Sequence, residues 1–126
     1  MAALPEIASK AWDDREGPVV LTTVDDSGVP NSIYASCVSK FSDEKLVVAD
    51  NFFDKTRANI LAGSPGSILY INKEGKAFQV KGTISYEKSG EVFDDMKNGW
   101  LNSNFPGVAA AVLNVEEVYS GSEKLL

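Results

Sequence analysis

The chain has 126 residues, of which 44% are apolar and 24% charged, and these values are typical of one globular domain of ordinary size. Twelve Lys and Arg against 18 Asp and Glu give a net charge of −6, which argues against coating DNA or binding acidic membranes. The chain has no histidine and one cysteine, Cys37. This composition excludes intrachain disulfides, His-based catalytic triads, and zinc or haem ligand sets built from His and Cys.

The hydropathy pattern indicates neither secretion nor membrane insertion. Residues 1–10 lack a cationic segment followed by an apolar run, so a secretory signal is not indicated. No stretch approaches the roughly 18 continuous apolar residues that a membrane span needs. We therefore expect a cytoplasmic protein in which residues 1–126 form a single domain.

The first half of the chain predicts two helices and three strands. Apolar residues recur at helical spacing near the N-terminus, β-branched runs follow, and helical spacing returns before Gly63. A turn at residues 26–28 joins the first two strands as a hairpin. The predicted helices span residues 4–14 and 54–62, and the predicted strands span residues 18–25, 30–39 and 45–50.

The second half predicts three more strands and one more helix. The predicted strands span residues 67–72, 77–87 and 108–119, and the predicted helix spans residues 90–101 with Ser89 as its cap. Six strands, mostly in sequential antiparallel hairpins, tend to close because closure removes unpaired edges. The sequence therefore predicts a mainly β protein, a small β-barrel with peripheral α-helices.

The segment over residues 50–59 is the most informative for function, because it runs from the end of a strand into the first turn of a helix. Helix N-termini present free N–H groups and the positive end of a dipole, which suit phosphate. Lys55 adds a positive charge there and Thr56 adds a hydroxyl donor. The same residues also fit a capped surface helix, with Asp54 as N-cap and with Lys55 and Arg57 solvated.

Three other segments allow a functional and a structural interpretation. Small and hydroxyl-bearing residues over 34–37 would let a flat ring lie against the barrel wall, but they also fit tight packing, with Cys37 as a small buried hydrophobe. The polar strand face that contains Gln79 fits an exposed barrel face. Trp100 and Phe105 fit either a core or a cover over a ligand or a dimer seam.

The motifs together resemble a known family. The order of helix, hairpin, strand and helix, with the segments DDSGVPNSIYAS, KLVVADN and FFDKTRANI, resembles the FMN-binding split-barrel family related to pyridoxamine 5′-phosphate oxidase. The similarity is strongest to the small single-domain flavoproteins of the family and extends from about Trp12 to Tyr119. It implies a six-stranded antiparallel split barrel and a homodimer that binds FMN at the subunit interface.

The resemblance also implies roles for residues at the phosphate and ring of FMN. Lys55 and Thr56 would hold the phosphate. Tyr34, Ala35 and Ser36 would run beside the phosphate and the isoalloxazine ring. Larger members carry an Arg on this second strand, which is missing here, so that Lys55 and Arg57 are left to supply the charge.

Further roles concern the remainder of the flavin. By resemblance, Asp50 and Asn51 would offer backbone groups to its polar edge, and Gln79 lies on the strand where larger members carry a flavin-contacting glutamine. Trp100 and Phe105 would approach from the other subunit. The resemblance and the residues together identify no catalytic residue and no metal site.

We therefore expect a cytoplasmic, homodimeric FMN-dependent oxidoreductase that acts on a small-molecule redox partner. Oxidation of pyridoxamine 5′-phosphate is not expected, because the C-terminal substrate-binding extension of the true oxidases has no counterpart before Leu126. The alternatives are a non-enzymatic electron carrier or a binder of another cofactor, F420 or haem. A small barrel that binds oligonucleotides is disfavoured by the net charge and by the lack of a basic aromatic stripe.

Overall fold

The computed structural model describes residues 2–126 and consists of three short helices and eight strands. The helices are α1 (Glu6–Asp13), α2 (Lys55–Leu61) and α3 (Glu91–Asp95), and a π-helical turn (Met96–Trp100) continues α3. The strands are β1 (Val19–Val24), β2 (Pro30–Ala35), β3 (Val38–Ser42), β4 (Lys45–Asp50), β5 (Gly66–Ile71), β6 (Ala77–Glu87), β7 (Ala109–Ser120) and β8 (Glu123–Lys124). Within residues 2–126, no helix is long and apolar enough to cross a membrane.

All strands belong to one antiparallel sheet that curls into a split barrel. The strand order is β2-β1-β5-β6-β7-β4-β3, and β8 is added on β7. β2 and β3 are the two ends of this order, and no ladder joins them within the described residues. The predicted fold class, a mainly β antiparallel split barrel with peripheral helices, is confirmed.

The number of strands differs from the predicted six, chiefly because residues 30–39 form two strands instead of one. The chain turns at Ser36 and Cys37, where the Val38 N–H donates to the Ser36 carbonyl (3.1 Å) and the Ala49 N–H donates to the Cys37 carbonyl (2.9 Å). β2 pairs with β1, and β3 pairs with β4. The corner contains no Gly or Pro, and the residues around it alternate as they would in one continuous strand. The corner was therefore not predicted from the sequence.

The helix predicted over residues 90–101 is shorter and less regular. Gly90, with φ of 99°, occupies the N-cap position expected for Ser89, and α3 ends at Asp95. The following turn is closed by the Leu101 N–H, which donates to the Met96 carbonyl at 3.0 Å. A bond over five residues is the π-helical pattern, and it swings Trp100 against the outer side of the sheet.

The sheet has apolar residues on both faces of β4 and β7. The main core lies inside the barrel beneath α1, where Tyr70 packs edge-on to Trp12 (5.1 Å) and stacks on Phe78 (5.7 Å). A second cluster lies on the outer side beneath α3 and the π-helical turn. It contains the buried residues Val47, Ala49, Val92, Met96, Ala110 and Val112. Burial on two faces explains the continuous apolar runs of β4 and β7.

Candidate functional site

A pocket of about 320 Å³ opens where the β2–β3 corner meets the carboxyl end of β4. This volume lies at the lower end of the range for small-molecule sites. Five of the residues predicted from the sequence line it: Tyr34, Ala35, Ser36, Asn51 and Phe105. The other lining residues are Ile33, Cys37, Ala49, Phe52 and Phe53.

The pocket wall combines small residues with protruding aromatic ones. Tyr34 and Phe52 are each 79% exposed, although such large side chains are usually at least half-buried. Ala35 and Ala49 are among the small residues of the wall. No lining residue among the described ones is acidic or basic. This arrangement suits the face of a flat, largely apolar ring system.

A second cavity of about 190 Å³ lies beside the first turn of α2, and Lys55 and Asn31 line it. Lys55 is exposed, and within residues 2–126 it makes no ion pair or side-chain hydrogen bond. Asp54 is the N-cap residue, as expected, but its carboxylate accepts no hydrogen bond from the helix. The first-turn N–H groups therefore have no side-chain cap, so the carboxylate does not compete for them with an anion.

Thr56 lies beneath this surface and is 2% exposed. Its hydroxyl oxygen accepts a hydrogen bond from the Asn31 side-chain amide at 3.0 Å. Asn31 was not among the residues predicted for the site. Its position in the sequence could have identified it. Asn31 directly follows the turn that ends at Pro30 and lies at the start of the strand that leads to the pocket.

The carboxylate of Asp50 is fully buried and receives four hydrogen bonds. The Arg57 guanidinium donates through Nε (2.7 Å) and Nη2 (2.9 Å), the Tyr86 hydroxyl donates at 2.5 Å and the Phe53 N–H at 3.0 Å. Burial by itself would raise the pKa of Asp50, but the bonds from Arg57, Tyr86 and Phe53 lower it below its ordinary value. Asp50 is therefore ionised at neutral pH.

This pairing changes the role expected of Arg57. The sequence offered Arg57 beside Lys55 as a source of charge for a phosphate, whereas the structure directs its Nε and Nη2 to Asp50. The bond to Asp50 also raises the pKa of Arg57 above its ordinary value. Within residues 2–126, Lys55 is left as the cation at the start of α2 that makes no ion pair. Sequence reasoning missed the pair because Asp50 was interpreted through its backbone.

Asn51 connects the two loops that border the pocket. Its side-chain oxygen accepts a hydrogen bond from the Gly107 N–H (3.0 Å), and the Asp50 carbonyl accepts one from the Val108 N–H (2.9 Å). These bonds bring Phe105 to the pocket of its own chain. The contacts of Asp50, Asn51 and Phe105 with a flavin stay predictions.

Gln79 and Trp100 lie apart from the pocket. Cross-strand register places Tyr34, Val20, Leu69 and Gln79 in one row on the outer sheet face. Three strand spacings separate Tyr34 from Gln79, which is about 14 Å. Trp100 packs on the second cluster, and its Nε1 is buried with no hydrogen-bond partner in residues 2–126. Their predicted cofactor contacts are not tested by this arrangement.

Known proteins with a similar sequence or a similar fold were found for this chain. An uncharacterized protein of Methanocaldococcus jannaschii is 29% identical over 107 residues, which are 81% of this chain and 71% of that protein. Among solved structures, HupZ of Group A Streptococcus has a TM-score of 0.79 at 18% identity over 96% of each chain. An FMN-binding protein from Syntrophomonas wolfei has a TM-score of 0.75 at 24% identity, over 90% of this chain and 83% of that one.

The family assignment comes from the sequence match. A profile of the family described as Pyridoxamine 5'-phosphate oxidase matches residues 7–121, which is nearly the whole chain. The match includes the pocket, the start of α2 and the Asp50–Arg57 pair. The chain belongs to the pyridoxamine 5′-phosphate oxidase family.

Proposed function

We propose that this chain binds FMN and acts as a flavin-dependent oxidoreductase on a small-molecule redox partner. The observation that carries the proposal is the position of the unpaired Lys55, at the start of the helix that follows the loop lining the pocket. An anion-binding end and an apolar, ring-sized end are what a flavin nucleotide requires. The family supports the same cofactor.

The residues at the phosphate end fit an anion. Lys55 would contribute charge, and the uncapped first-turn N–H groups would contribute directed donors. Because the Thr56 oxygen already accepts from Asn31, its own hydroxyl proton is free to point to a phosphate oxygen. Asp25 also lines this cavity, but no carboxylate of residues 2–126 hydrogen-bonds to Lys55 or to the first-turn N–H groups.

The residues at the ring end fit a planar aromatic system. Ala35 and Ser36 would lie along the ring and Tyr34 beside it, and Asn51 would hold the loop that contributes the opposite side. Bound FMN would supply the electron transfer itself. The chain would bind the ring, orient it and exclude water, and the described residues that line the pocket include no Asp, Glu, Lys or Arg.

A homodimer is part of the proposal. One chain leaves Tyr34 and Phe52 each 79% exposed at the pocket mouth, and Phe105 38% exposed. A second copy that covers these side chains would remove apolar surface from water and close the pocket. Trp100 and Phe105 of the second copy are the predicted contacts from that side.

The test is retention of FMN by the purified protein through gel filtration, with the mass of the coloured species measured by light scattering. We expect flavin absorbance to elute with a dimer. Lys55→Ala should weaken FMN binding at least tenfold, whereas Lys10→Ala, which removes the same charge on α1, should not. If the protein retains F420 or haem but no FMN, the proposal that FMN is the cofactor is wrong.

The enzyme and carrier alternatives separate in a second measurement. Turnover of NAD(P)H by the FMN-loaded protein, with a small acceptor present, supports an oxidoreductase. A flavin that is reduced and reoxidised only by another protein supports the carrier. Electron delivery to the bound flavin is therefore measured with both kinds of donor.

A further inference from the structure

The four hydrogen bonds on Asp50 join the end of β4 to the start of α2, seven residues along the chain, and to β6, 36 residues along the chain. Oδ1 accepts from the Phe53 N–H and from Arg57 Nη2, and Oδ2 accepts from Arg57 Nε and the Tyr86 hydroxyl. Arg57 Nε also lies 3.2 Å from the Tyr86 oxygen. The end of β4, the first half of α2 and the carboxyl end of β6 are thus fixed to one buried carboxylate. These hydrogen bonds involve charged groups, and both carboxylate oxygens have partners. A buried cluster of this kind is held in a single geometry.

The anchor points of this cluster bracket the proposed phosphate end. Phe53 comes two residues before Lys55, and Arg57 comes directly after Thr56. The two residues expected to meet the phosphate are therefore held from both sides. Neither is itself bonded to the carboxylate.

The start of α2 depends on tertiary contacts for its position. The helix has seven residues and no side-chain cap, and helices this short are not stable by themselves in water. Besides the bonds to Asp50, two amides tie the helix to the barrel: Asn31 of β2 donates to the Thr56 hydroxyl, and Asn59 donates to the Thr23 hydroxyl, each at 3.0 Å. The Asn59 bond lies later in the helix, so the first turn is placed by the bonds to Asp50 together with the Asn31–Thr56 bond.

We infer that Asp50, Arg57 and Tyr86 are positioning residues, which hold Lys55 and Thr56 in a phosphate-binding arrangement before the ligand arrives. The inference rests on the proposed function for the identity of the ligand. The three residues act through the loop and the helix turn that they fix. A site held in advance loses less conformational entropy on binding.

The test uses two variants that keep the volume or the charge of the residue replaced. Tyr86→Phe removes one hydroxyl and keeps the ring that packs on the main core. Arg57→Lys keeps the positive charge and removes the two-pronged contact. The matched control is Tyr70→Phe, which also removes one hydroxyl that donates to a partner, the Ala8 carbonyl at 2.7 Å, but between β5 and α1.

Two measurements are made on each protein. Hydrogen exchange of the ligand-free protein is followed over residues 51–58, and affinities for FMN and riboflavin are compared. Riboflavin lacks the phosphate, so a change at the phosphate end affects FMN alone. We expect about tenfold faster exchange and about tenfold weaker FMN binding in both variants. We expect riboflavin affinity to change less than twofold, and the control to show neither effect.

The outcomes separate this inference from the proposed function. Equal weakening of FMN and riboflavin, or exchange no faster than in Tyr70→Phe, overturns the positioning role. If the unaltered protein binds no FMN, the proposed function fails, and the exchange measurement still decides the inference. Faster exchange confined to residues 51–58 supports it, and unchanged exchange overturns it.

Discussion

The side-chain amide of Asn31 donates a 3.0 Å hydrogen bond to the hydroxyl of Thr56 and so joins the first half of β2 to the first turn of α2. The direction of this bond matters, because an amide N–H₂ can only donate and the hydroxyl must therefore accept. The proton of Thr56 is left for another acceptor. Two residues that are 25 positions apart thus set the donor pattern of the proposed phosphate end.

Reversing that bond should weaken FMN binding. In Asn31→Asp, the new carboxylate would take the Thr56 proton and add a negative charge in the cavity shared with Lys55. We expect FMN affinity to fall at least tenfold, with riboflavin much less affected. Ser32→Asp is the control, since it places the same charge one residue along β2, where side chains point to the other face. Equal losses in the two variants would contradict the role of Asn31.

Phe52 should matter to association and cofactor binding but not to folding. Its side chain is 79% exposed, so Phe52→Ala removes little buried surface from the isolated chain. We expect the unfolding free energy to change by less than about 0.5 kcal/mol. The dissociation constants of the proposed dimer and of its complex with FMN should each rise about tenfold. Leu61→Ala, at a residue 64% exposed on the far end of α2, should change neither.

Asp50 should stabilise the fold at neutral pH and lose that effect in acid. Its pKa is lowered in the folded chain, where burial is outweighed by bonds from Arg57, Tyr86 and Phe53. The unfolded chain therefore binds the proton more readily, so the stabilisation is full above an ordinary Asp pKa of about 4 and fades as the pH falls below it.

Urea unfolding from pH 3 to pH 7 checks this expectation. Asp50→Asn should cost about 2 kcal/mol at pH 7, because the bonds to a charged acceptor are lost, and the difference from the unaltered protein should narrow below pH 4. Glu117→Gln is the control, since Tyr119 lowers the pKa of Glu117 too, but that side chain is 44% exposed. A pH-independent difference for Asp50→Asn would contradict an ionised carboxylate.

Gly82 should not tolerate a side chain. A Cβ there would lie 1.8 Å from the Asn114 carbonyl oxygen, at the place where the β6–β7 register shifts. The backbone at Gly82 or at Asn114 would have to move, so Gly82→Ala should lower the unfolding free energy by about 3 kcal/mol. Gly75→Ala, in an open turn with φ of +83°, should cost about 1 kcal/mol from backbone strain alone. Thermal unfolding of the two variants measures the difference.

Local patterns were sufficient for the parts of the fold that depend on periodicity. The alternation of Phe78 and Val80 with polar neighbours identified β6, and the apolar run before Asp50 identified β4. The corner at Ser36 and Cys37 was missed, because these residues carry no turn signal and the chain bends there only to change neighbours in the sheet.

The candidate site could be predicted only in part, because some of its contacts depend on which strands become neighbours. Tyr34, Asn51 and Phe105 were identified through the family resemblance, and the structure gathers them at one pocket. The bonds from Arg57 and Tyr86 to Asp50 link positions 7 and 36 residues apart, and strand register decides which of them meet. No local sequence pattern shows which residues will meet across the sheet. The hydrogen-bond partners of Asp50 could therefore not be predicted from its position after a strand.

The open seam of the barrel has a consequence for how the proposed ligand would be recognised. β2 and β3 each have a neighbour on one side only, so their outer edges present N–H and C=O groups that no ladder uses. The pocket lies at the corner where these edges meet. Main-chain atoms of these edges would therefore contribute to the polar pattern that a ligand meets, and their spacing does not depend on side-chain identity. Substitutions at Ala35 or Ser36 would reshape the cavity and leave that pattern in place.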